Sequence, residues 1–245
     1  MKSVRDNWDF WQRLLDMLQQ QFGEKSEIIL HDLTGDYNHS IVSIRNGYIT
    51  DRKVGDCGSN LGLEVLRGTV KDGDRYNYVI NAQDGKLLRS STMFLKDDDG
   101  KIIGSLCINT DITETVKFEN YLRKYNRFQI PSVETDVPHS ETLASSEITT
   151  PEHSDEPPFE IFAKDVTQVL DFLIEGAQKH IGKSVDEMKR TDKIEFIRYL
   201  DNKGAFLITK SSERVYEYLN ISKFTFYNYL DTIHKGTAGV EPSAE

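Results

Sequence analysis

Lys223, Phe224, Tyr227 and Asn228 fall in one short stretch, "NISKFTFYNYLDTI" (Asn220–Ile233), and together they carry the chemistry of base reading. A lysine can bond guanine, an asparagine can pair with the adenine edge, and aromatic rings can cover thymine methyls. Whether these four face outward depends on the period of their apolar neighbours. Phe224, Phe226, Tyr227 and Tyr229 are strand formers by type. Phe226, Leu230 and Ile233, however, follow one another at helical steps, and Val215, Leu219 and Ile221 upstream join the same inward series. Ser222 suits the N-cap of a helix beginning at Lys223, and Asn220 suits a tight turn before it. The spacing therefore predicts two helices joined by a short turn, a helix-turn-helix. In that motif the start of the second helix enters the major groove. Lys223, Phe224, Tyr227 and Asn228 are then the base readers, and Ser212, Ser222 and Thr225 are the phosphate contacts.

A second set of polar residues interrupts apolar strand-like runs: His31, Ser43, Arg45, Cys107 and Asn109. Residues alternate between the two faces of a strand, so one part of this set faces the inside of a sheet and the other faces out. They are the candidate contacts for a small molecule, with the inward subset left open. Cofactor chemistry finds less support. His31 has no second feature pointing to haem, and "DCGSN" around Cys57 lacks the asparagine-cysteine-arginine context of a flavin adduct. "GDCGSNLG" is no nucleotide cradle, and "DDDG" lacks a calcium loop ending in Glu. No GxSxG, HExxH or paired-carboxylate pattern occurs, so no enzyme, metal or cofactor is expected. Cys57 and Cys107 make neither a disulfide framework nor a CxxC pair, as suits a reducing compartment.

The elements that must position these residues read as two modules. "SVRDNWDFWQRLLDMLQQQFG" places Trp8, Trp11, Leu15 and Leu18 on one helical stripe and stops at Gly23. Short strand-like runs follow: "EIILHDL", "HSIVSIRNG", "YNYVINA", "LLRSSTMFL" and "KIIGSLCINTDI". Asp99-Gly100 makes a hairpin between the last two, and "DCGSNLGLEVLRG" supplies a helical insert after the second. Helix, two strands, helical insert and three-strand meander is the element order of a PAS domain, and "TETVKFENYLRKYN" adds a short output helix. From 161 to 237 the pattern is helical, with Gly182 as a stop, Thr191 as the N-cap of the next helix and Gly204 closing it. The fold class is α+β: a five-stranded antiparallel PAS-like sheet with helices over 1–125, then an all-α helix-turn-helix domain over 161–237.

The formal net charge of -10 argues at first against a nucleic-acid partner. Eight of the acidic residues, however, lie between Ser132 and Ile161 with no Lys or Arg, leaving -2 for the rest. Arg190 to Lys235 holds eight basic residues against six acidic ones, a mildly positive block that permits phosphate contact. The span 126–160 also holds five of the six prolines, so it is expected to be a flexible tether and 238–245 a disordered tail. No apolar run reaches the length of a membrane helix, and the charged N-terminus resembles no secretory signal, so the expectation is a cytoplasmic protein with no membrane partner.

"HDL" at 31–33, "NG" at 46–47, "RKVGD" at 52–56, "LRSST" at 88–92, "DGKIIGSLCIN" at 99–109, "LDFLIEGAQKHIGKSVDEMKR" at 170–190 and "VYEYLNISKFTFYNYL" at 215–230 resemble the YheO-like bacterial regulators. These join a YheO-type PAS domain to a DauR-like helix-turn-helix. The resemblance implies a transcriptional regulator whose PAS domain senses a small molecule or dimerises and whose helix-turn-helix binds double-stranded operator DNA. A homodimer is expected, because one helix-turn-helix reads only a half-site, and the Trp8-Trp11-Leu15-Leu18 stripe is its expected seam. The alternative is a PAS-based interaction adaptor without sequence-specific DNA binding.

Overall fold

The computed structural model of the chain describes residues 1–70, 73–82, 84–126 and 160–237. Five antiparallel strands, β1 (Ser26–Asp32), β2 (Ile41–Arg45), β3 (Arg75–Asn81), β4 (Leu87–Lys96) and β5 (Ile102–Asp111), form one sheet in the order β2-β1-β5-β4-β3. The β4–β5 turn closes as its Asp-Gly pair requires: Gly100 takes φ 81, and the Asp97 amide donates to the Lys101 carbonyl at 2.8 Å. Helix α2 (Asn60–Arg67) fills the insert between β2 and β3, and α3 (Thr113–Tyr125) continues from β5. At the sheet edge β3 is broken by a bulge at Asn77, whose φ is 55.

Helix α1 (Trp8–Phe22) lies on one face of this sheet and stops at Gly23, whose amide bonds the Gln19 carbonyl at 2.9 Å. Its stripe is spent inside the molecule. Trp11 and Leu15 are buried against Ile28, Leu30, Val42 and Ile103, and Leu18 packs beside them, so these residues are not free to form a dimer seam. Only Trp8 of the predicted stripe stays substantially exposed. The sheet has an apolar face of its own, and packing α1 on it removes both apolar surfaces from water.

Four helices build the C-terminal part: α4 (Val166–Ile181), α5 (Arg190–Asn202), α6 (Ser211–Tyr218) and α7 (Lys223–Thr237). Asp165 caps α4 by accepting the Thr167 amide at 2.7 Å, and Gly182 ends it in the left-handed conformation. The start of α5 differs from expectation: Lys189 is its N-cap and Thr191 lies in the first turn. Asp192 explains the shift, since its carboxylate takes the Lys189 amide and the Lys183 ammonium, both at 2.9 Å. A carboxylate at a helix start answers the macrodipole better than a hydroxyl.

The two modules share one apolar core. Leu61, Leu63 and Val65 of α2 join Leu173, Phe196, Leu200 and Phe226 in a single buried cluster. Around it Arg67 pairs with Asp201 at 2.6 Å and Lys203 with Glu64 at 3.0 Å. Glu160, assigned by composition to the tether, is buried at 4 % exposure. The rest of the expected tether, 127–159, and the tail at 238–245 lie outside the described residues. At the seam Gly204 has φ 73, and a Cβ there would sit 2.5 Å from the Leu63 carbonyl oxygen. Gly204→Ala is expected to lower the stability of the full chain by at least about 1–2 kcal/mol, the cost of a left-handed alanine before any clash is added. Thermal unfolding checks this, and a melting temperature equal to the parent's would contradict it.

Candidate nucleic-acid interface and sensor interior

The inward series of the last two helices is buried as their spacing requires. Val215, Leu219, Phe226 and Ile233 are each at most 3 % exposed, and Ile221 and Leu230 are half-buried beside them. Phe226 sits edge-on to Phe206 at 5.4 Å and to Tyr216 at 6.2 Å, which fixes the rotation of α7. In the turn, Asn220 takes φ 49 and the Ile221 amide bonds the Tyr216 carbonyl at 3.0 Å. Ser222 then caps α7, its hydroxyl accepting the Thr225 amide at 3.1 Å. Lys193 reaches from α5 to the Leu219 carbonyl at 2.8 Å and ties the turn to the body.

This rotation puts Lys223, Phe224, Tyr227 and Asn228 on the solvent side at the start of α7. Phe224 is 76 % exposed and stands beside the exposed Tyr227 ring. Ser222 lies beside this face. Thr225 and Ser212 are half-buried, and the Ser222 and Thr225 hydroxyls stand 2.9 Å apart, engaged with each other at the helix start. The structure therefore brings the four proposed readers together and gives Ser222 and Thr225 a local capping role.

The proposed ligand contacts divide between the two faces of the sheet. Ser43 is opposite Leu30 and Arg45 opposite Ile28, which places both on the α1 side. There Ser43 bonds Gln12 at 3.0 Å, and Arg45 bonds Asp16 at 2.7 Å. They hold α1 to the sheet and do not share a space with the other three. His31, Cys107 and Asn109 lie on the opposite face, where Ile29 pairs with Cys107 and Glu27 with Asn109 across the β1–β5 ladder. Asn109 donates to the buried Glu27 carboxylate at 2.8 Å, and the Arg52 guanidinium meets the same carboxylate at 3.0 Å. Of the five, His31 and Cys107 border a small pocket of about 20 Å³.

Sequence reasoning missed most of that cavity's polar lining. Tyr37, Ser59, Thr92 and Glu160 contribute. Ser59 and Tyr78 both donate to the Glu160 carboxylate, the latter at 2.8 Å, and Thr92 stands 3.1 Å from the Tyr78 oxygen. The β4 alternation that buries Thr92 was legible; the return of Glu160 from the acidic stretch was not. Burial governs the ionisation here. It brings His31 down to about 3, with the Arg52 charge adding to the effect, and pushes the Cys107 thiol up to about 11. Desolvation also raises the Glu160 carboxyl above the ordinary range, against the pull of its hydrogen bonds and of Arg52.

A five-stranded antiparallel PAS-type module packed on a helix-turn-helix module is what the fold and the site define. The chain belongs to the family of the YheO-like PAS domain, whose model matches residues 2–127, and an HTH domain model matches residues 169–231. YheO of Escherichia coli (strain K12) is 29% identical over 92% of this chain and 84% of that protein. An uncharacterized protein of Haemophilus influenzae is 28% identical over 91% of this chain and 89% of its own length. The transcriptional regulator DauR of Pseudomonas aeruginosa is 24% identical over 92% and 94%. Among the described residues no helix is long and apolar enough to cross a membrane.

Protonation of buried His31 gives a test. Its pKa falls from 6.5 in the unfolded chain to about 3 in the fold, so the unfolded state binds the extra proton first as pH drops. The stability this provides is present above pH 6.5 and is lost progressively down to about pH 3, at about 1.4 kcal/mol per pH unit. Denaturant unfolding at pH 7.5 and 5.0 is expected to show about 2 kcal/mol more loss in the parent than in His31→Gln. Equal losses would contradict a buried neutral imidazole.

Proposed function

We propose that the chain is a cytoplasmic transcriptional regulator that binds operator DNA through α6 and α7 as a homodimer and senses a small molecule in its PAS module. The reading rests on one observation above all. The exposed face at the start of α7 presents Lys223, Phe224, Tyr227 and Asn228 together, while the opposite face is buried at Phe226 and Ile233. Such a face matches what a major groove offers: hydrogen-bond partners beside thymine methyls. Family membership and the name of the Pseudomonas aeruginosa relative support the same reading. Lys223→Ala combined with Asn228→Ala is expected to weaken binding to a retarded genomic fragment by at least tenfold, with the circular dichroism spectrum retained. Unchanged binding would remove this face from the assignment, and a parent that retards no fragment would favour the interaction adaptor.

With the α1 stripe spent internally, α3 supplies the better seam for the second copy. Phe118, Tyr121, Leu122 and Tyr125 recur at helical spacing and are exposed, with Tyr121 and Tyr125 stacked at 6.0 Å. Light scattering at micromolar concentration is expected to give the mass of a dimer for the parent and of a monomer for Tyr121→Glu with Tyr125→Glu. A monodisperse parent monomer would count against the seam.

A further inference from the structure

Glu160 comes from the most acidic stretch of the chain, yet it lies inside the sensor module. The residues that follow it are docked along the same wall. The Ile161 amide donates to Asn60 at 2.8 Å, the Phe162 ring lies 4.4 Å from the Arg52 guanidinium carbon, and the Ala163 carbonyl accepts from the Cys57 thiol at 3.5 Å. Lys164 completes the strap by pairing with Asp51 and leads into α4. The Glu160 side chain thereby borders two spaces. One is the 20 Å³ pocket lined by His31 and Cys107; the other is a cleft of about 700 Å³ lined by Ile80, Phe162 and Phe172.

We propose that the seat between Ser59 and Tyr78 is a recognition point for a small carboxylate ligand and that Glu160 is its stand-in from the chain itself, so that ligand binding and docking of residues 160–164 exclude each other. This rests on the small-molecule reading above and names the ligand's chemistry. Two neutral hydroxyls both donate to one carboxylate, an arrangement that accommodates an acceptor group. The guanidiniums of Arg52 and Arg75 add attraction for negative charge from nearby. The small pocket has room for about one water while Glu160 is seated. When Glu160 leaves, the cavity opens into the cleft, which has room for the rest of a small organic acid. Burial holds the Glu160 carboxyl above its ordinary range, so the seated side chain carries a desolvation cost that its withdrawal relieves.

The test uses the full chain carrying Glu160→Ala, with acetate as the probe and chloride at equal ionic strength as the control. Acetate is expected to raise the melting temperature of the variant in a saturable manner with one site by calorimetry, and to bind the parent at least tenfold more weakly. Adding Tyr78→Phe is expected to weaken acetate at least fivefold in the variant. Acetate acting on neither protein, or equally on both, overturns the proposal. If Glu160→Ala does not fold, the same contrast is read as refolding yield: recovery in acetate but not chloride supports the site, and recovery in neither or in both overturns it. DNA retardation by the parent is measured separately. A parent that binds DNA beside a variant blind to acetate removes this inference alone, whereas a parent that binds no DNA removes the regulator reading.

Discussion

A guanidinium cannot be withdrawn from water without both a countercharge and cover, and Arg52, at 5 % exposure, obtains the two from segments far apart in sequence. Glu27 on β1 supplies the charge at 3.0 Å, and the Phe162 ring supplies the cover. Glu27 is itself satisfied by Thr50 at 2.6 Å and by Asn109. The network therefore takes members from two strands, from the segment after β2 and from the strap before α4. None of these can be placed without the others, which fixes the inner sheet face and the entry to the helical module as one arrangement. The shared apolar core and the close seat of Gly204 on α2 then follow.

Much of the fold was legible because its periods are clean. The strands fall within a residue or two of the alternating runs, and the Asp-Gly turn and the glycine stops at 23 and 182 do what their conformational freedom allows. The last helix was legible for a different reason. Its letters favour a strand, but Phe226, Leu230 and Ile233 pack on one side only at helical steps, and burial overrides propensity. What stayed hidden shares a cause. Whether Ser43 faces with His31 depends on the register between strands, which the bulge between Leu30 and His31 shifts. The destination of Glu160 depends on two neutral hydroxyls far away in sequence, and the use of the α1 stripe depends on which apolar face reaches it first. These are long-range outcomes that no local window contains.

Charge gave the poorest guidance taken as a total and better guidance taken by position. A chain of net charge -10 still presents Lys223 on an open face, because several acidic residues of the helical module are committed to neighbouring cations. Asp171 pairs with Arg214, Asp192 with Lys183, and Asp201 with Arg67. A polyanionic partner meets the local arrangement and not the sum.

The plug at Glu160 also sets an order of events during synthesis. The sheet is complete once β5 ends at Asp111, but the strap that closes its inner face runs from 160 to 164. At the usual pace of translation, roughly 5–20 residues per second, the strap that carries Glu160 becomes available only several seconds after the last strand emerges.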